Sequence, residues 1–584
     1  MGALPQRKGV SFRVWAPHAR AVHVVGTFNR WRPTAAPLAP EGEGYWFGHV
    51  PRAKPGHEYR FLLDTGEQVL SRIDPYARQV TSSVGNGVVY DHEAFDWKGD
   101  RAVIPGHNEL VIYELHIGSF HAPGDGPGSL GSVQEKLDHL VKLGVNAVQI
   151  MPLMEFAGDY SWGYNPSHIF AVSSTYGGPD AFKRFVREAH RRGLAVILDV
   201  VYNHLGPSDL DLWRFDGWHQ DGKGGVYFYN DDRSHTPWGD TRPDYGREQV
   251  RRFLHDNAMM WLRDYHLDGL RFDMTPYIRS VRGAGIDLPE GWDLLRWINM
   301  SVREQYPTRI SIAEDMHQDA RISAVEHHGA AFHAQWDSAF VHPVRASVTA
   351  YDDRYRSVKS LSAAIAACYN GDAFQRVIYT ESHDEVANGR ARIPHEIDAA
   401  DSTGWHARKL SIAGAALVCT TPGIPMLFQG QEFLEGGWFR DDVPLDWDRD
   451  TEFQGIVRLY RDLIRLRRNG DGDTRGLLGH HVNVFHENEE DKVLAFHRWD
   501  VGGPGDDVVV VVNLSHRPRT HYRLGVPASG RWRLLLNSDA TDYSPDFAGA
   551  HAADIEATPA WVDGLPASGE LSIGPYTVLI YARA

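Results

Sequence analysis

Four short segments place carboxylates, an arginine and histidines directly behind apolar runs. They read Leu198-Asp199-Val-Val-Tyr202-Asn203-His204, Gly269-Leu-Arg271-Phe-Asp273, Ser311-Ile-Ala-Glu314-Asp315 and Glu381-Ser382-His383-Asp384-Glu385. On a strand, Arg271 and Asp273 point to the same face. A neighbouring guanidinium favours a charged carboxylate, so Asp273 is expected to be ionised and fit to act as a nucleophile. Glu314 has no basic neighbour in sequence and stands beside Asp315, an arrangement that raises a carboxyl pKa and suits a general acid. One ionised and one protonated carboxyl about 5–5.5 Å apart are what retaining glycoside chemistry requires.

Other chemistries fit the residues less well. The chain has no Cys-x-x-Cys and no His-Glu-x-x-His, the usual zinc signatures. Gly124-Asp-Gly126-Pro-Gly128 lacks the Gly-Lys-Ser/Thr of a phosphate loop and reads as a turn. Ser382, His383 and Asp384 are sequence neighbours whose side chains alternate in direction on a strand, so they do not make a serine triad by themselves. His327-His328 lies in a helical pattern and reads as a surface pair.

The elements that must carry the four segments alternate between strand and helix. Strands are predicted over 111–115, 147–151, 195–200, 269–273, 310–313, 332–336, 376–380 and 424–428, with helices over 132–143, 180–192, 249–265 and 405–419. Eight strands interleaved with helices predict a parallel (β/α)8 TIM barrel, and carboxylates at their ends converge on its C-terminal mouth. Two long connections, 154–176 and 203–246, show no regular structure of their own and fall on that face. Before the barrel, short alternating runs such as Val10-Ser-Phe-Arg-Val-Trp15 predict a β-sandwich, followed by a linker over 96–106. The runs 508–512, 532–536 and 576–581 predict a C-terminal β-sandwich. The expected domains are therefore 1–105, 106–470 and 471–584.

Composition narrows the partners. Among 584 residues, 60 basic against 76 acidic side chains give a net charge of −16, the wrong sign for gripping nucleic acid. The apolar stretch 410–428 contains Gly423, Pro422 and Pro425, and reads as a buried helix, turn and strand rather than a membrane span. Two cysteines and a start without an apolar leader lead to an expectation of a cytoplasmic protein with no membrane partner. Eighteen Trp and 24 Tyr supply more flat amphipathic rings than a core needs, and such rings suit sugar faces.

The four segments resemble the four hallmark regions of the α-amylase family of glycoside hydrolases, in order and placement. Trp162-Gly163-Tyr164-Asn165-Pro166 resembles the family's segment after the second barrel strand. The resemblance implies that Asp273 is the nucleophile, Glu314 the acid/base and Asp384 the carboxylate that holds sugar hydroxyls as the ring distorts. It implies that Arg271 orients the nucleophile, His204 and His383 bond hydroxyls, Tyr164 stacks beneath the innermost sugar and Asp199 supports this group. Phe12-Arg-Val-Trp-Ala-Pro17 and Val24-Val-Gly-Thr-Phe-Asn-Arg-Trp31 resemble the sandwich preceding the barrel in glycogen-branching and debranching enzymes, where Trp31 and Trp46 are candidates for glucan contact.

Within the family, Ile112-Tyr-Glu-Leu-His-Ile-Gly118, His383-Asp-Glu-Val386, Leu427-Phe-Gln-Gly-Gln-Glu-Phe433 and Pro444-Leu-Asp-Trp447 resemble 1,4-α-glucan branching enzymes. Tyr229-Asn-Asp-Asp-Arg233 and Thr236-Pro-Trp-Gly239 also resemble maltooligosyltrehalose trehalohydrolases, and Val386 to Pro394 departs from the branching pattern. Transfer to a sugar 6-hydroxyl and hydrolysis, as by an α-amylase or a trehalohydrolase, share the first half-reaction, and both stay open. A non-catalytic glucan-binding relative is disfavoured because all three carboxylates are present. The resemblance implies an α-1,4-glucan substrate and no organic cofactor. Calcium near Asn203 is the one metal it allows, although no EF-hand-like run is present.

Overall fold

The computed structural model describes all residues except Ala102, Val103, His327 and Gly549. Part of the expected 96–106 linker and of the His327-His328 pair therefore lies outside the described residues.

Eight parallel strands close a barrel: β1 (Ile112–Leu115), β2 (Ala147–Ile150), β3 (Ala195–Val200), β4 (Gly269–Phe272), β5 (Ile310–Ala313), β6 (Ala334–Trp336), β7 (Arg376–Ile378) and β8 (Ile424–Phe428). All their residues are buried, which is why they read as continuous apolar runs rather than alternating ones. β8 pairs with β1 through Met426 opposite Ile112 and completes the ring. The helix expected over 132–143 is two helices, Leu130–Gln134 and Leu137–Leu143. Lys136, at the break, carries its ammonium to 4.1 Å from the Trp447 ring. The apolar stretch 410–428 is a buried helix ending at Thr420, then β8. Among the described residues no helix is long and apolar enough to cross a membrane.

The connection 154–176 is not irregular as expected. It folds into an antiparallel ribbon of Met154–Phe156 against Pro166–Val172, whose side chains are all buried. The connection 203–246 lacks strands or α-helices but is clamped by the N-terminal domain. Asp211 accepts from Arg60 Nη2 (2.8 Å) and the Ile73 N–H (2.7 Å), and Asp216 accepts from the His18 N–H (3.0 Å).

That domain is an eight-stranded antiparallel sheet running from Gly2–Pro5 to Gly87–Val88. Seven of its strands form one continuous hydrogen-bonded path rather than two separate sheets, and Gly87–Val88 pairs beside that path with Glu58–Asp64. The path folds over itself, so that Phe12 meets Tyr59 at 5.2 Å and Phe61 at 6.5 Å across the core, although their strands are not paired. A second eight-stranded sheet, from His481–Asn488 to Thr577–Arg583, forms the C-terminal part.

Candidate active site

β3 and β4 lie in register with Asp199 opposite Arg271, so the two side chains meet inside the barrel mouth. Arg271 is fully buried and serves three carboxylates. Its Nη1 donates to Asp199 Oδ2 and, at 3.4 Å, to Asp273 Oδ1, while Nη2 lies 2.8 Å from Glu314 Oε2. The Trp336 ring, at 4.2 Å, backs the guanidinium.

Asp273 stands one residue beyond β4, and its N–H continues the ladder to the Val200 carbonyl (3.0 Å). Both of its oxygens meet donors, since Asn203 Nδ2 donates to Oδ2 (2.9 Å) and Arg271 to Oδ1. Met274 takes φ 38°, a strained value for a side-chain-bearing residue. Its N–H donates to Glu314 Oε2 at 2.8 Å. The close contacts of Glu314 from Met274 and Arg271 thus both fall on Oε2.

Two electrostatic expectations change here. Glu314 does have a basic neighbour, supplied by Arg271 across the barrel. Asp315 is turned away and held by Arg279 through two bonds of 2.6 and 3.0 Å. Asp273 gets the weakest share of Arg271. Burial, then the Glu314 charge, push its carboxyl well above the ordinary range. Burial raises Glu314 as well, against Arg271. The pair therefore favours holding one proton between two carboxyls. Because Asp273 is gripped by donors on both oxygens and Glu314 on one, the geometry favours the charge on Asp273 and the proton on Glu314. Burial also pushes Asp199 up to about 7, against the guanidinium.

The remaining expected residues line or support the same cavity of about 470 Å³, which His204, Asp273, Tyr164, His383 and Asp384 share with Trp162, Trp238 and Asn388. The Tyr164 ring stacks on His383 at 5.0 Å, and its hydroxyl donates to Asp199 (2.6 Å). Asp384 is 43% exposed at its side chain, against 7% for Asp273 and 5% for Glu314, so it faces the open part of the cavity. Its neighbours Glu381 and Glu385 turn inward to Arg392 and to Arg345 and Arg390, and have structural partners instead.

Sequence reading missed two contributors. Glu114 on β1 accepts from the His383 N–H (3.0 Å) and pairs with His383 Nδ1 (2.9 Å). Burial lowers the His383 pKa, but Asp384 and Glu114 outweigh burial and raise it to about 9. The available signal was a carboxylate inside an otherwise apolar strand, which must find a partner. Trp238, from the clamped 203–246 connection, stacks on His204 at 4.7 Å, and no local pattern announced that. Asn203, the position considered for calcium, commits its amide to Asp273 and to the His204 N–H.

Comparison with known proteins agrees with this layout. The family profile "Alpha amylase, catalytic domain" matches residues 114–215 and 207–442. "Carbohydrate-binding module 48 (Isoamylase N-terminal domain)" matches 1–77, and "Alpha amylase, C-terminal all-beta domain" matches 484–584. The chain is 33% identical to the 1,4-alpha-glucan branching enzyme GlgB of Pseudoalteromonas atlantica, over 91% of this chain and 76% of that protein. It is 33% identical to the enzyme of the same name from Rhodospirillum rubrum, over 96% and 78%. Among solved structures, a pullulanase from Anoxybacillus sp. LM18-11 complexed with maltotetraose superposes with a TM-score of 0.78 at 22% identity, over 100% of this chain and 87% of that one. A pullulanase from Paenibacillus barengoltzii gives 0.75 at 22% identity, over 100% and 95%. At that identity the structures share the fold.

Proposed function

The chain belongs to the α-amylase family of glycoside hydrolases, and from that premise we infer that it is a 1,4-α-glucan branching enzyme. The observation that carries the chemistry is Arg271 joining Asp199, Asp273 and Glu314 at the floor of one cavity. Asp273 attacks the anomeric carbon of an α-1,4-linked glucose, and the bond to the leaving 4-oxygen breaks as that oxygen takes the proton of Glu314. The covalent glycosyl-enzyme has inverted configuration. Glu314, now ionised, takes the proton of an incoming sugar 6-hydroxyl, whose oxygen displaces Asp273 and restores the α configuration. Asp384, His383 and His204 hold ring hydroxyls, and Tyr164 provides the face beneath the sugar. No step needs a cofactor.

Near-full-length likeness to branching enzymes favours the sugar hydroxyl over water as acceptor. A role in glycogen synthesis follows from that product. Free Cys368 and Cys419 suit a cytoplasmic setting. The test is incubation with amylose, following reducing ends and α-1,6 linkages together by proton NMR. New 1,6 signals with little gain in reducing ends are expected. Rising reducing ends without 1,6 links would overturn transfer in favour of hydrolysis.

A further inference from the structure

The most exposed aromatic side chain among the large apolar residues is Tyr351, at 82%, and Tyr355 four residues on is 62% exposed. Their rings lie side by side, 5.3 Å apart and tilted by 42°, with their hydroxyls 3.4 Å apart. Folding gains little from two rings left in water, yet the turn that presents them is held firmly. Asp353 between them accepts from the His516 N–H (2.9 Å) and the Tyr576 hydroxyl (2.8 Å), both from the C-terminal domain. Arg356 closes the turn by donating to the carbonyls of Ser347, Val348 and Ala350.

Beside the rings, a cleft of about 480 Å³ opens between the barrel and the C-terminal domain. Its charges are largely cancelled. Arg354 pairs with Asp352 (2.9 Å), Lys492 with Glu489 (3.0 Å) and Arg519 with Asp491 (2.9 Å). Glu490 and Arg517 add one charge of each sign. A cleft rich in hydrogen-bonding groups, without net charge and flanked by flat rings, suits an uncharged polyhydroxylated ligand.

We propose that Tyr351 and Tyr355 form a second glucan-binding platform that holds a long α-1,4-glucan away from the catalytic cavity. This rests on the glucan-active reading above. The helix Ser338–Thr349 follows β6 along the outer flank of the barrel, where its Arg345 donates to the Thr380 carbonyl beyond the end of β7 (2.7 Å), and Tyr351 lies past its C-terminal end, beside the C-terminal domain. The platform shares no lining residue with the catalytic cavity. It therefore acts on the retention of long chains and leaves bond cleavage untouched.

The test compares the parent protein with Y351A/Y355A by native gel electrophoresis through amylose, alongside branching kinetics on amylose. The double variant is expected to lose retardation, with the dissociation constant raised about fivefold or more. KM for amylose should rise with kcat unchanged, and Y351F/Y355F should restore retardation. An unchanged thermal midpoint for the alanine variant separates lost binding from lost folding. Equal retardation of parent and double variant, or a parent that is not retarded, overturns the platform. A parent that is retarded but forms no 1,6 links overturns the branching reading instead and leaves the platform standing.

Discussion

Arg271 and Arg498 are both fully buried, yet they are put to opposite uses. Arg271 faces Asp199, Asp273 and Glu314 at the barrel mouth. Burial works against its charge, but Asp199 and Glu314 outweigh burial and hold it firmly protonated. Arg498 meets only carbonyls: Thr420 (2.5 Å), Gly479 (2.7 Å), Leu477 (3.1 Å) and His481 (3.2 Å). Burial, with nearby Arg467, pushes its pKa down. Four carbonyls from two stretches of chain, Thr420 and 477–481, are tied by one guanidinium, joining the helix ahead of β8 to the C-terminal sheet. Burial alone therefore does not mark a functional arginine. What marks Arg271 is that it holds together several carboxylates that repel one another, an arrangement that is costly for stability and useful for proton and glycosyl transfer.

That contrast can be broken most sharply at Asp273. D273N should cut turnover on amylose by on the order of 10⁵-fold. Its thermal midpoint should hold or rise, because the removed charge is one that Glu314, Asp199 and Asp384 all repel. Near-parent turnover would remove Asp273 from the chemistry. R271K should lower kcat/KM by about 10²-fold or more and lower the midpoint, since an ammonium cannot reach three carboxylates with the planar fork of a guanidinium. Retained activity in R271K would mean that a point charge suffices.

At the other arginine the expected effect moves from rate to stability. R498M should destabilise the chain by about 3 kcal/mol as buried carbonyls lose their donors, measured by denaturant unfolding. Its kcat at 25 °C should match the parent, and a parallel fall in kcat would erase the distinction between the two sites.

The smallest expected effect is a displaced pH limb. His383, raised to about 9 from its ordinary 6.5, contributes stability below about pH 6.5 that fades as the pH rises through 9. If its charged form holds substrate, kcat/KM should fall along an alkaline limb near that value. E114Q removes one of the two charges that raise it, so the limb should move to lower pH. A limb that stays put in E114Q would show that another group sets it.

Much of this was legible along the chain because barrel strands are short, apolar and regularly spaced. β3, β5 and β8 match their predicted limits, and Asp273, Glu314 and Asp384 follow strands whose direction fixes where they converge. The ribbon at 154–176 was not legible, since Met154–Phe156 is too short to carry an alternation of its own. The physical basis of the proton assignment was not legible either, for a different reason. It was argued from the neighbours of Glu314 in sequence, whereas its basic partner comes from β4 and its sequence neighbour Asp315 faces away.

The sequence by itself determined the barrel, the flanking β domains and the identity of the residues at the mouth, because hydrophobic period and strand-end chemistry are local properties. Only the tertiary structure decided which carboxylates share Arg271, that Glu114 supports His383, and that Trp238 reaches His204. Charge interactions fall off with distance in space and are indifferent to separation along the chain, so their balance appears only once the strands are closed into a ring.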